Sequence, residues 1–495
     1  MNDGYDDVAL PDGWTATVFG DIADCRLGKM LDQAKNRGEE RPYLRNVNVQ
    51  WGQIALDDVK CMRITADETE RYAVRPGDLL VCEGGEPGRC AVWRDGREMY
   101  LQKALHRVRP RGGISPDYLR WWLQGAASAG RLDRLFTGST IKHLPGRQLS
   151  RIDVALPPRA EQHRIAERLD EIEVRRASTA RHLESARRIV ERFRRAVLAA
   201  ACSGRLTVDW REDHPGSTSE ELLTRLIANP ESTTRRESTQ KEPGLISEAE
   251  LALLPETWSL VSLGDIVDVG TGATPLRKNR AYYDDGTIPW VTSGAVNAGT
   301  IIAPTELITP HALDETNVKL FPPGTLLVAM YGEGQTRGRV AELAIEAGTN
   351  QAVAAVIFSA ETATLQPFIR VFFEDSYQRV RALSIGGVQP NLNLGMIKAT
   401  PLPLPPLDEQ HEIVRRASAA MGTADRLVAQ IEHTLATLDR VTQASLATAF
   451  RGVLVPTEAA LAGDEGRAFE TADQLLARVG ATETSASQRL GRVAS

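Results

Sequence analysis

Two stretches of the chain carry a regular stripe of apolar residues that predicts long helices. Steps of alternately four and three residues from Ile165 reach Ala200 through eleven positions, nine of them apolar. The same steps from Ile413 reach Thr448, and eight of those eleven positions are apolar. A period of 3.5 residues is typical of a coiled-coil seam. The stripes therefore predict two helices packed on each other, with two amphipathic helices on separate globular cores as the alternative.

The predicted helix–helix seam has a few polar interruptions. Arg176 and Thr179 interrupt the first stripe, and Ser445 and Thr448 weaken the second near its end. About forty residues of helix would extend over roughly 60 Å. The predicted seam residues are Ile165, Leu169, Ile172, Leu183, Val190, Phe193, Val197, Ile413, Leu427, Ile431, Leu438 and Val441.

Proline-rich segments mark the start of both helices. LPP at 156–158 and PLPLPP at 401–406 interrupt the chain just before the apolar stripes begin. Glu161 and Glu409 follow these segments. An acidic residue in the first turn interacts favourably with the helix dipole, so both positions are consistent with helix starts.

The same sequence blocks occur twice in the same order, at offsets of 244 to 248 residues. The pairs are LPDGWTATVFGDIAD (10–24) with LPETWSLVSLGDIVD (254–268), RPGDLLV (75–81) with PPGTLLV (322–328), ALPPRAEQHRI (155–165) with PLPPLDEQHEI (403–413), and AVLAAACSGRL (196–206) with ASLATAFRGVL (444–454). Ordered repetition of this kind indicates a tandem duplication. In each copy, short β-like runs and glycine-rich turns precede a long helix.

The segments between the matched blocks have diverged. Residues 41–64 have little in common with residues 288–308. Two copies of one fold that read different ligands would show this pattern. Unequal drift of the two copies is the alternative.

Composition excludes several classes of protein. The 495 residues carry a net charge of −6, with 42% hydrophobic and 25% charged residues, which are ordinary values for a globular protein. No apolar run approaches the ~20 residues that span a bilayer, and the first residues do not resemble a secretory signal, so we expect a cytoplasmic protein without a membrane role. The five cysteines form no CxxC pair, so no metal site is expected.

The motifs of an autonomous enzyme are missing from the sequence. It contains no [DNS]-P-P-[FYW] tetrad of an adenine methylase and no GxxxxGK[ST] phosphate loop. GEGQTRG at 332–338 has the wrong glycine spacing for a nucleotide loop and predicts a hairpin turn. No lysine follows Asp78 and Glu83 as a metal-dependent nuclease would require. We therefore predict no catalytic residue.

The sequence resembles a known family, the specificity (S) subunits of Type I restriction–modification enzymes. The resemblance rests on the two starts from Trp14 to Asp21 and from Trp258 to Asp265, both PGDLLV-like blocks, both LPP-x2-EQ-x2-I segments and the two long helices. It covers about residues 8–455.

The resemblance implies an α+β fold with two pseudo-repeated α/β target recognition domains, joined by two long antiparallel coiled-coil helices. The expected segments are target recognition domain 1 (1–160), a long helix and spacer region (161–212), a polar linker with a short helix (213–253), target recognition domain 2 (254–408), a second long helix and spacer region (409–455), and a C-terminal short helix with a disordered tail (456–495).

The resemblance also implies a non-catalytic reader of double-stranded DNA. Each recognition domain would read one half of a bipartite asymmetric site, and the helices would set the spacer. They would also dock two adenine-N6 methyltransferase (M) subunits, and a restriction (R) subunit could join. The chain itself would bind no cofactor, and S-adenosylmethionine would belong to the methyltransferase.

Candidate base readers lie in polar runs between the scaffold blocks. Arg and Lys suit guanine, and Asn and Gln suit adenine. The candidates are Arg45, Asn46, Asn48, Gln50, Lys142, His143, Thr292, Ser293, Asn297, Arg337, Gln389, Asn391 and Asn393. Residues 1–160 carry 24 basic and 22 acidic side chains, whereas 254–408 carry 10 and 15. Because phosphate contacts dominate affinity, we expect weak DNA binding without the methyltransferase subunits.

Two other classes of protein remain as alternatives. A stand-alone DNA-cleaving enzyme would need the catalytic groups that the sequence lacks. A structural coiled-coil adaptor without a DNA role would explain the helices but not two modules with divergent loops.

Overall fold

The computed structural model describes residues 9–32, 34–138, 140–227, 253–331, 336–383 and 392–481. The chain forms two compact units, one built from residues 1–183 with 433–495 and the other from residues 184–432. Both divisions fall inside the long helices.

The first repeat alternates short strands and helices before its long helix. Its elements are β1 (Thr15–Val18), α1 (Phe19–Ile22), β2 (Ala23–Leu27), β3 (Glu39–Leu44), β4 (Val49–Gln50), β5 (Gln53–Ile54), β6 (Lys60–Ile64), α2 (Ala66–Tyr72), β7 (Leu79–Cys82), β8 (Cys90–Val92), β9 (Tyr100–Leu101), β10 (Leu105–Pro110), α3 (Pro116–Ser128), α4 (Gly146–Leu149), β11 (Asp153–Leu156) and α5 (Arg159–Cys202). Helices α6 (Val208–Asp213) and α7 (Glu220–Ile227) follow.

The second repeat follows the same plan with small changes in the number of strands. Its elements are β12 (Ser259–Ser262), α8 (Leu263–Ile266), β13 (Asp268–Thr271), β14 (Ile288–Val291), β15 (Thr300–Ile301), β16 (Glu306–Ile308), α9 (Pro310–Glu315), β17 (Leu320–Phe321), β18 (Leu326–Ala329), β19 (Val340–Leu343), β20 (Ala347–Thr349), β21 (Val353–Ile357), α10 (Gln366–Leu383), α11 (Leu394–Lys398), β22 (Pro401–Leu404) and α12 (Leu407–Ala449). It has three strands instead of four between β13 and α9, and five instead of four between α9 and α10. Helix α13 (Glu458–Glu465) and a helical segment at 472–481 end the described chain.

The sheets of the two repeats share a common set of strand pairings, to which the second repeat adds one strand in each sheet. The central sheet has the order β2-β10-β7-β8 in the first unit and β13-β21-β18-β19-β15 in the second. A second sheet pairs β3 with β6 antiparallel and with β9 parallel, as β14 pairs with β16 and β20. The diverged segments 41–64 and 288–308 therefore form equivalent strands. The predicted α+β fold with two pseudo-repeated domains is confirmed.

The core of the first unit combines the first repeat with the end of the chain. Helix α3 begins at Pro116, after Ser115 caps its N-terminus by accepting a hydrogen bond from the Tyr118 amide. Its buried face carries Trp122, whose ring centroid lies 4.8 Å from that of Phe450. Leu475, in the last described helical segment, is also fully buried in this core. The C-terminal segment is thus part of the first unit.

The second unit has an equivalent core that includes the end of α5. Trp258 packs edge-on against Phe368 of α10, with ring centroids 6.3 Å apart. Ala201, at the end of α5, is fully buried in the same cluster. Leu222 and Leu226 of α7, a short helix in the stretch predicted to be a polar linker with a short helix, are buried there too.

The two long helices run antiparallel within each unit. In the first unit, Arg176 of α5 forms an ion pair with Asp439 of α12 at 3.7 Å, and Arg164, further toward the start of α5, bonds Glu458 beyond the end of α12 at 2.7 Å. In the second unit, Arg194 pairs with Asp425. The antiparallel arrangement predicted for the long helices is confirmed.

The two ends of each long helix are buried in different cores. Ile165 of α5 lies in the core of the first unit and Ala201 in that of the second. Ile413 of α12 lies in the core of the second unit and Ala449 in that of the first. Burial at the ends of the two stripes therefore reflects packing on the globular units.

Three of the predicted seam positions are exposed instead of buried, which corrects their assignment. Phe193, Leu427 and Val441 are 44%, 49% and 50% exposed. Each precedes a residue that is less exposed, and Val428, after Leu427, is half-buried. By contrast, Ile165, Leu169, Val190, Val197, Ile413 and Ile431 are buried, and Ile172, Leu183 and Leu438 are half-buried.

A buried carboxylate fixes the start of the first repeat to α5. Oε1 of Glu161 accepts a 2.9 Å hydrogen bond from the Trp14 indole, and Oε2 accepts one from the Glu458 amide at 2.8 Å. Burial raises the pKa of Glu161. Burial would also raise the pKa of Glu458, but hydrogen bonds from Arg164 and Arg467 outweigh it and lower that pKa. Glu161, predicted only to suit the helix dipole, thus joins three segments of the unit.

Candidate nucleic-acid interface

In the first unit, two of the predicted polar segments meet at the turn that follows β7. The Asn46 side chain donates a 3.4 Å hydrogen bond to the carbonyl of Gly84. From the other side, the Leu144 amide donates to the carbonyl of Glu83 at 2.7 Å. The Trp51 indole bonds Glu86 in the same turn at 2.7 Å. The run at 45–50 and the loop at 137–143 therefore border one surface.

Glycines in this turn let the two side chains approach the backbone. A Cβ on Gly84 would lie 3.1 Å from Nδ1 of His143. Gly85 has φ of +82°, and a Cβ there would lie 2.7 Å from Nδ2 of Asn46. Gly85 thus favours glycine for space and for backbone conformation, whereas a side chain at Gly84 would crowd only His143. A glycine pair between two strands is a hairpin signal that the sequence carries here.

The loop at 137–143 is tied to the central sheet by a buried histidine. His106 of β10 is fully buried, and its Nε2 lies 2.8 Å from the carbonyl of Leu144. Burial lowers the pKa of His106. The neutral imidazole can therefore donate one hydrogen bond to that carbonyl, and the loop is held from its C-terminal side.

Four predicted base readers of the first unit lie at or near this surface. They differ in the exposure of their side chains and in the groups that they bind. Lys142 is 60% exposed in its side chain, with its Nζ 3.9 Å from Asp133, and His143 is exposed. Gln50 is exposed and bonds the Val47 carbonyl at 3.0 Å. Arg45 forms an ion pair with Asp58, and only 19% of its side chain is exposed.

Asn48 has a structural role, which corrects its assignment as a base reader. It is 2% exposed. Its Oδ1 accepts from the Arg45 amide at 2.9 Å, and its Nδ2 donates to the carbonyls of Ala55 and Asp58 at 3.0 and 3.1 Å. The side chain closes the turn at Asn46–Asn48 and leaves no group for a base edge.

In the second unit, the run at 292–297 meets the β18–β19 hairpin. Thr292 precedes a single turn at Ser293–Ala298, and its amide donates to Thr305 at 3.2 Å. Nδ2 of Asn297 donates to the hydroxyl of Thr336 at 3.2 Å. Strands β18 and β19 pair antiparallel, and residues 332–335 of the turn predicted at GEGQTRG lie outside the described residues. The structure therefore brings Thr292, Ser293 and Asn297 beside the hairpin that carries Arg337, which is half-buried.

The last three candidates follow α10. Asn393 caps α11, because its Oδ1 accepts a 2.8 Å hydrogen bond from the Met396 amide. Its side-chain oxygen is thus already engaged in a hydrogen bond at the start of α11. Gln389 and Asn391 lie outside the described residues.

Across the described ranges, no group of three or more His, Cys, Asp or Glu side chains is arranged to hold a metal ion. No helix in those ranges is both long and apolar enough to cross a membrane.

The repeated fold, with diverged polar segments around the same hairpin in each copy, defines a two-module recognition protein. The family model of the Type I restriction modification DNA specificity domain matches residues 11–184 and 255–435, more than two thirds of the chain. The chain belongs to this family.

Several named relatives are similar over most of their length. The chain is 26% identical over 459 residues to the Type I restriction enzyme StySPI specificity subunit of Salmonella potsdam, with 90% of each chain covered. It is 24% identical over 473 residues to the EcoKI specificity subunit of Escherichia coli strain K12, again with 90% of each covered.

Solved structures share the fold. A chain of a type I R-M system has a TM-score of 0.63 and 17% identity, covering 90% of this chain and all of that one. The HsdS subunit from Thermoanaerobacter tengcongensis has a TM-score of 0.52 and 18% identity, covering 91% of this chain and all of that subunit.

Proposed function

We propose that this chain is the non-catalytic DNA-recognition subunit of a Type I restriction–modification complex. Residues 1–160 and 254–408 are the two target recognition domains, and each reads one half of a bipartite asymmetric site. The observation that carries this is the duplicated fold with diverged segments around an equivalent hairpin. A shared scaffold with different loops is what two half-sites of different sequence require.

Base reading in the first domain falls to side chains around the Gly84 turn that are exposed or half-buried. Asn46 and Gln50 carry the amide groups that suit adenine, and Lys142 suits guanine. His143 lies in the same loop. In the second domain, Thr292, Ser293, Asn297 and Arg337 occupy the equivalent surface. Gln389 and Asn391 stay predicted base readers of this domain.

The long helices set the spacer and dock two methyltransferase subunits. The support is a set of apolar side chains exposed on α5 and α12: Val174, Ile189, Phe193, Leu427 and Val441. Exposed apolar residues on a helix that already buries its other face favour a protein partner. S-adenosylmethionine binds the methyltransferase, and a restriction subunit completes the nuclease.

DNA binding by the free chain is weak under this proposal. The second recognition domain has five more acidic than basic residues, so it lacks a general positive field to attract phosphates. The complex acts in the cytoplasm, where thiols stay reduced. All five cysteines are free.

The test is a domain exchange read by sequencing of methylated DNA. Residues 10–157 are replaced by the corresponding segment of a relative, and the chain is expressed with its methyltransferase. We expect one half of the methylated site to change while the other half and the spacer length stay constant. The matched control exchanges 254–405 and should change only the other half.

Three results would contradict the proposal. A change in both halves or in neither would refute the modular assignment. Cleavage by the isolated chain would favour a stand-alone nuclease. Loss of methylation without any sequence change on exchange would favour a structural adaptor.

A further inference from the structure

A short basic tripeptide recurs in the part of each recognition domain that precedes the diverged run. Lys-Asn-Arg occupies residues 35–37 and again residues 278–280, at an offset of 243. The first copy follows strand β2 and the second follows β13, which are equivalent strands of the central sheets. The next segments, 41–64 and 288–308, differ in sequence. Both copies thus keep these residues beside a region that has changed.

The three side chains have the same exposure in both loops. Asn36 is half-buried, and its amide donates to the carbonyl of Asp32 at 2.8 Å while its side chain donates to Met30 at 3.2 Å. Lys35 and Arg37 on either side are exposed. The asparagine therefore shapes the loop, and the two cations face solvent.

The second loop is built in the same way from different contacts. Asn279 is half-buried, its amide donates to the carbonyl of Leu276 at 2.9 Å, and its Oδ1 accepts from the Ala281 amide at 3.2 Å. Lys278 and Arg280 are exposed. Arg280 forms an i,i+4 ion pair with Asp284 at 3.0 Å, and both side chains are more than half exposed.

A neighbouring arginine anchors the second loop on the domain. Arg277 lies 5.1 and 5.2 Å from the ring centroids of Tyr283 and Trp290, and it pairs with Glu306. Trp290 belongs to β14, the strand that leads into Thr292. The loop is thus held next to the start of the candidate interface.

The first loop also starts at the candidate interface. The Lys29 amide donates to Leu101 at 2.7 Å, and the Lys103 amide donates to Lys29 at 2.8 Å. One residue further, the Glu83 amide donates to Ala104 at 2.9 Å. Glu83 is the residue to which the Leu144 amide is bonded. The backbone therefore links the base of this loop to the Gly84 turn.

The second domain is acidic overall, so this cationic loop is important for any approach to DNA phosphates. Residues 254–408 contain ten basic side chains, and three of them are Arg277, Lys278 and Arg280. A domain with an excess of acidic residues needs a local cluster of cations to approach a phosphate backbone. This loop is the densest such cluster in the sequence of that domain.

We propose that the two Lys-Asn-Arg loops contact DNA phosphates and position each domain without reading sequence. The inference rests on the proposed function. Two domains that read different half-sites need different base readers, but both meet the same phosphate backbone. Lys35, Arg37, Lys278 and Arg280 make those contacts, while Asn36 and Asn279 hold the loops in shape.

The test measures salt dependence of binding for the full chain in complex with its methyltransferase subunits. One variant combines Lys278→Gln and Arg280→Gln, and a second combines Lys35→Gln and Arg37→Gln. The matched control is Lys319→Gln, an exposed lysine of the second unit outside the loop. Each is titrated with a duplex containing the methylated site and with a scrambled duplex, across several salt concentrations.

The expected result is a uniform loss of affinity. Each lost phosphate contact makes the negative slope of log K against log salt shallower by about 0.9, so the slope of each double variant should become less negative by up to about 1.8. Affinity for both duplexes should fall by the same factor at low salt, and the ratio between them should stay constant. The control should match the wild type.

Three results would overturn the phosphate assignment. An unchanged slope would exclude phosphate contacts. A changed ratio between the duplexes would make the loops base readers. Loss of the methyltransferase subunits with an unchanged slope would make the loops a protein-docking surface. A wild-type complex without preference for the methylated duplex would instead refute the proposed function.

Discussion

The indole Nε1 of Trp258 donates a 2.8 Å hydrogen bond to Oε2 of Glu409, and this carboxylate is fully buried. Its other oxygen accepts a hydrogen bond from the Thr207 hydroxyl at 2.7 Å and an ion pair from Arg211. The start of the second repeat, its long helix and the segment after α5 therefore meet at one side chain. Trp14 and Glu161 form the equivalent bond in the first unit.

Removal of the Glu409 carboxylate should strongly destabilise the second unit. Glu409→Ala leaves the guanidinium of Arg211 and the indole N–H of Trp258 without their partner, which costs about 3–5 kcal/mol for a buried pair. The loss is measured as faster hydrogen exchange in β12 and β22. Asp408→Ala, an exposed carboxylate in the same turn, is the control and should change stability by less than about 0.5 kcal/mol. Equal exchange in both variants would show that the network is unimportant.

The Glu412 carboxylate should stabilise the folded protein at neutral pH, and this contribution should disappear in acid. Hydrogen bonds from Arg415 and Arg416 lower the pKa of Glu412 from 4.5 to about 2. Because the folded pKa lies below the unfolded value, the contribution is complete above about pH 4.5 and disappears as the pH falls toward 2.

The measurement is the urea midpoint of the wild type and of Glu412→Gln at several pH values and low ionic strength, since salt screens exposed pairs. The wild type should be more stable at pH 7, and the two midpoints should converge on acidification. A difference that grew as the pH fell would contradict the assigned direction.

Asn48 should matter for stability rather than for base reading. Asn48→Ala leaves the Arg45 amide and the carbonyls of Ala55 and Asp58 without their side-chain partner, which should cost about 1–3 kcal/mol. Gln50→Ala is the neighbouring control and should cost less than about 0.5 kcal/mol, because that side chain is exposed. Thermal unfolding compares the two. A methylated site that changed with Asn48→Ala at unchanged stability would restore its role as a reader.

The register of the long helices can be tested by alanine substitution of two side chains of similar size on α12. Ile431 is 7% exposed and Leu427 is 49% exposed. Ile431→Ala should cost about 2–5 kcal/mol, whereas Leu427→Ala should cost less than about 1 kcal/mol in the free chain. Urea unfolding checks both variants. Equal costs would support the heptad register that the sequence pattern predicts.

The sequence predicts the duplicated architecture well because its signals are local and occur twice. The block around Trp14 reappears around Trp258, and the proline segments before α5 and α12 place the starts of both helices within a few residues. The seam is less well predicted. Leu427 and Val441 fit the apolar stripe yet are exposed, because burial along α12 depends on packing partners that the pattern does not reveal.

The candidate interface is harder to predict from the sequence than the duplicated architecture. Asn46 and Asn48 are two residues apart in one polar run, yet one lies beside the Gly84 turn and the other is buried. Their difference depends on carbonyls at Ala55 and Asp58, which no local pattern connects to the run. Leu475 is similar, because its burial depends on a core formed mainly by residues more than 300 positions earlier.

The division inside the long helices has a consequence for biosynthesis. Residues 184–432 are one continuous stretch, so every part of the second unit has been translated before the ribosome reaches residue 433. The first unit must wait for Leu446, Phe450 and Leu475, although its own N-terminal residues are made first. In a nascent chain, the whole second unit is therefore synthesised before the first unit can complete its fold. A premature stop after residue 432 would leave a protein in which only the second unit is complete.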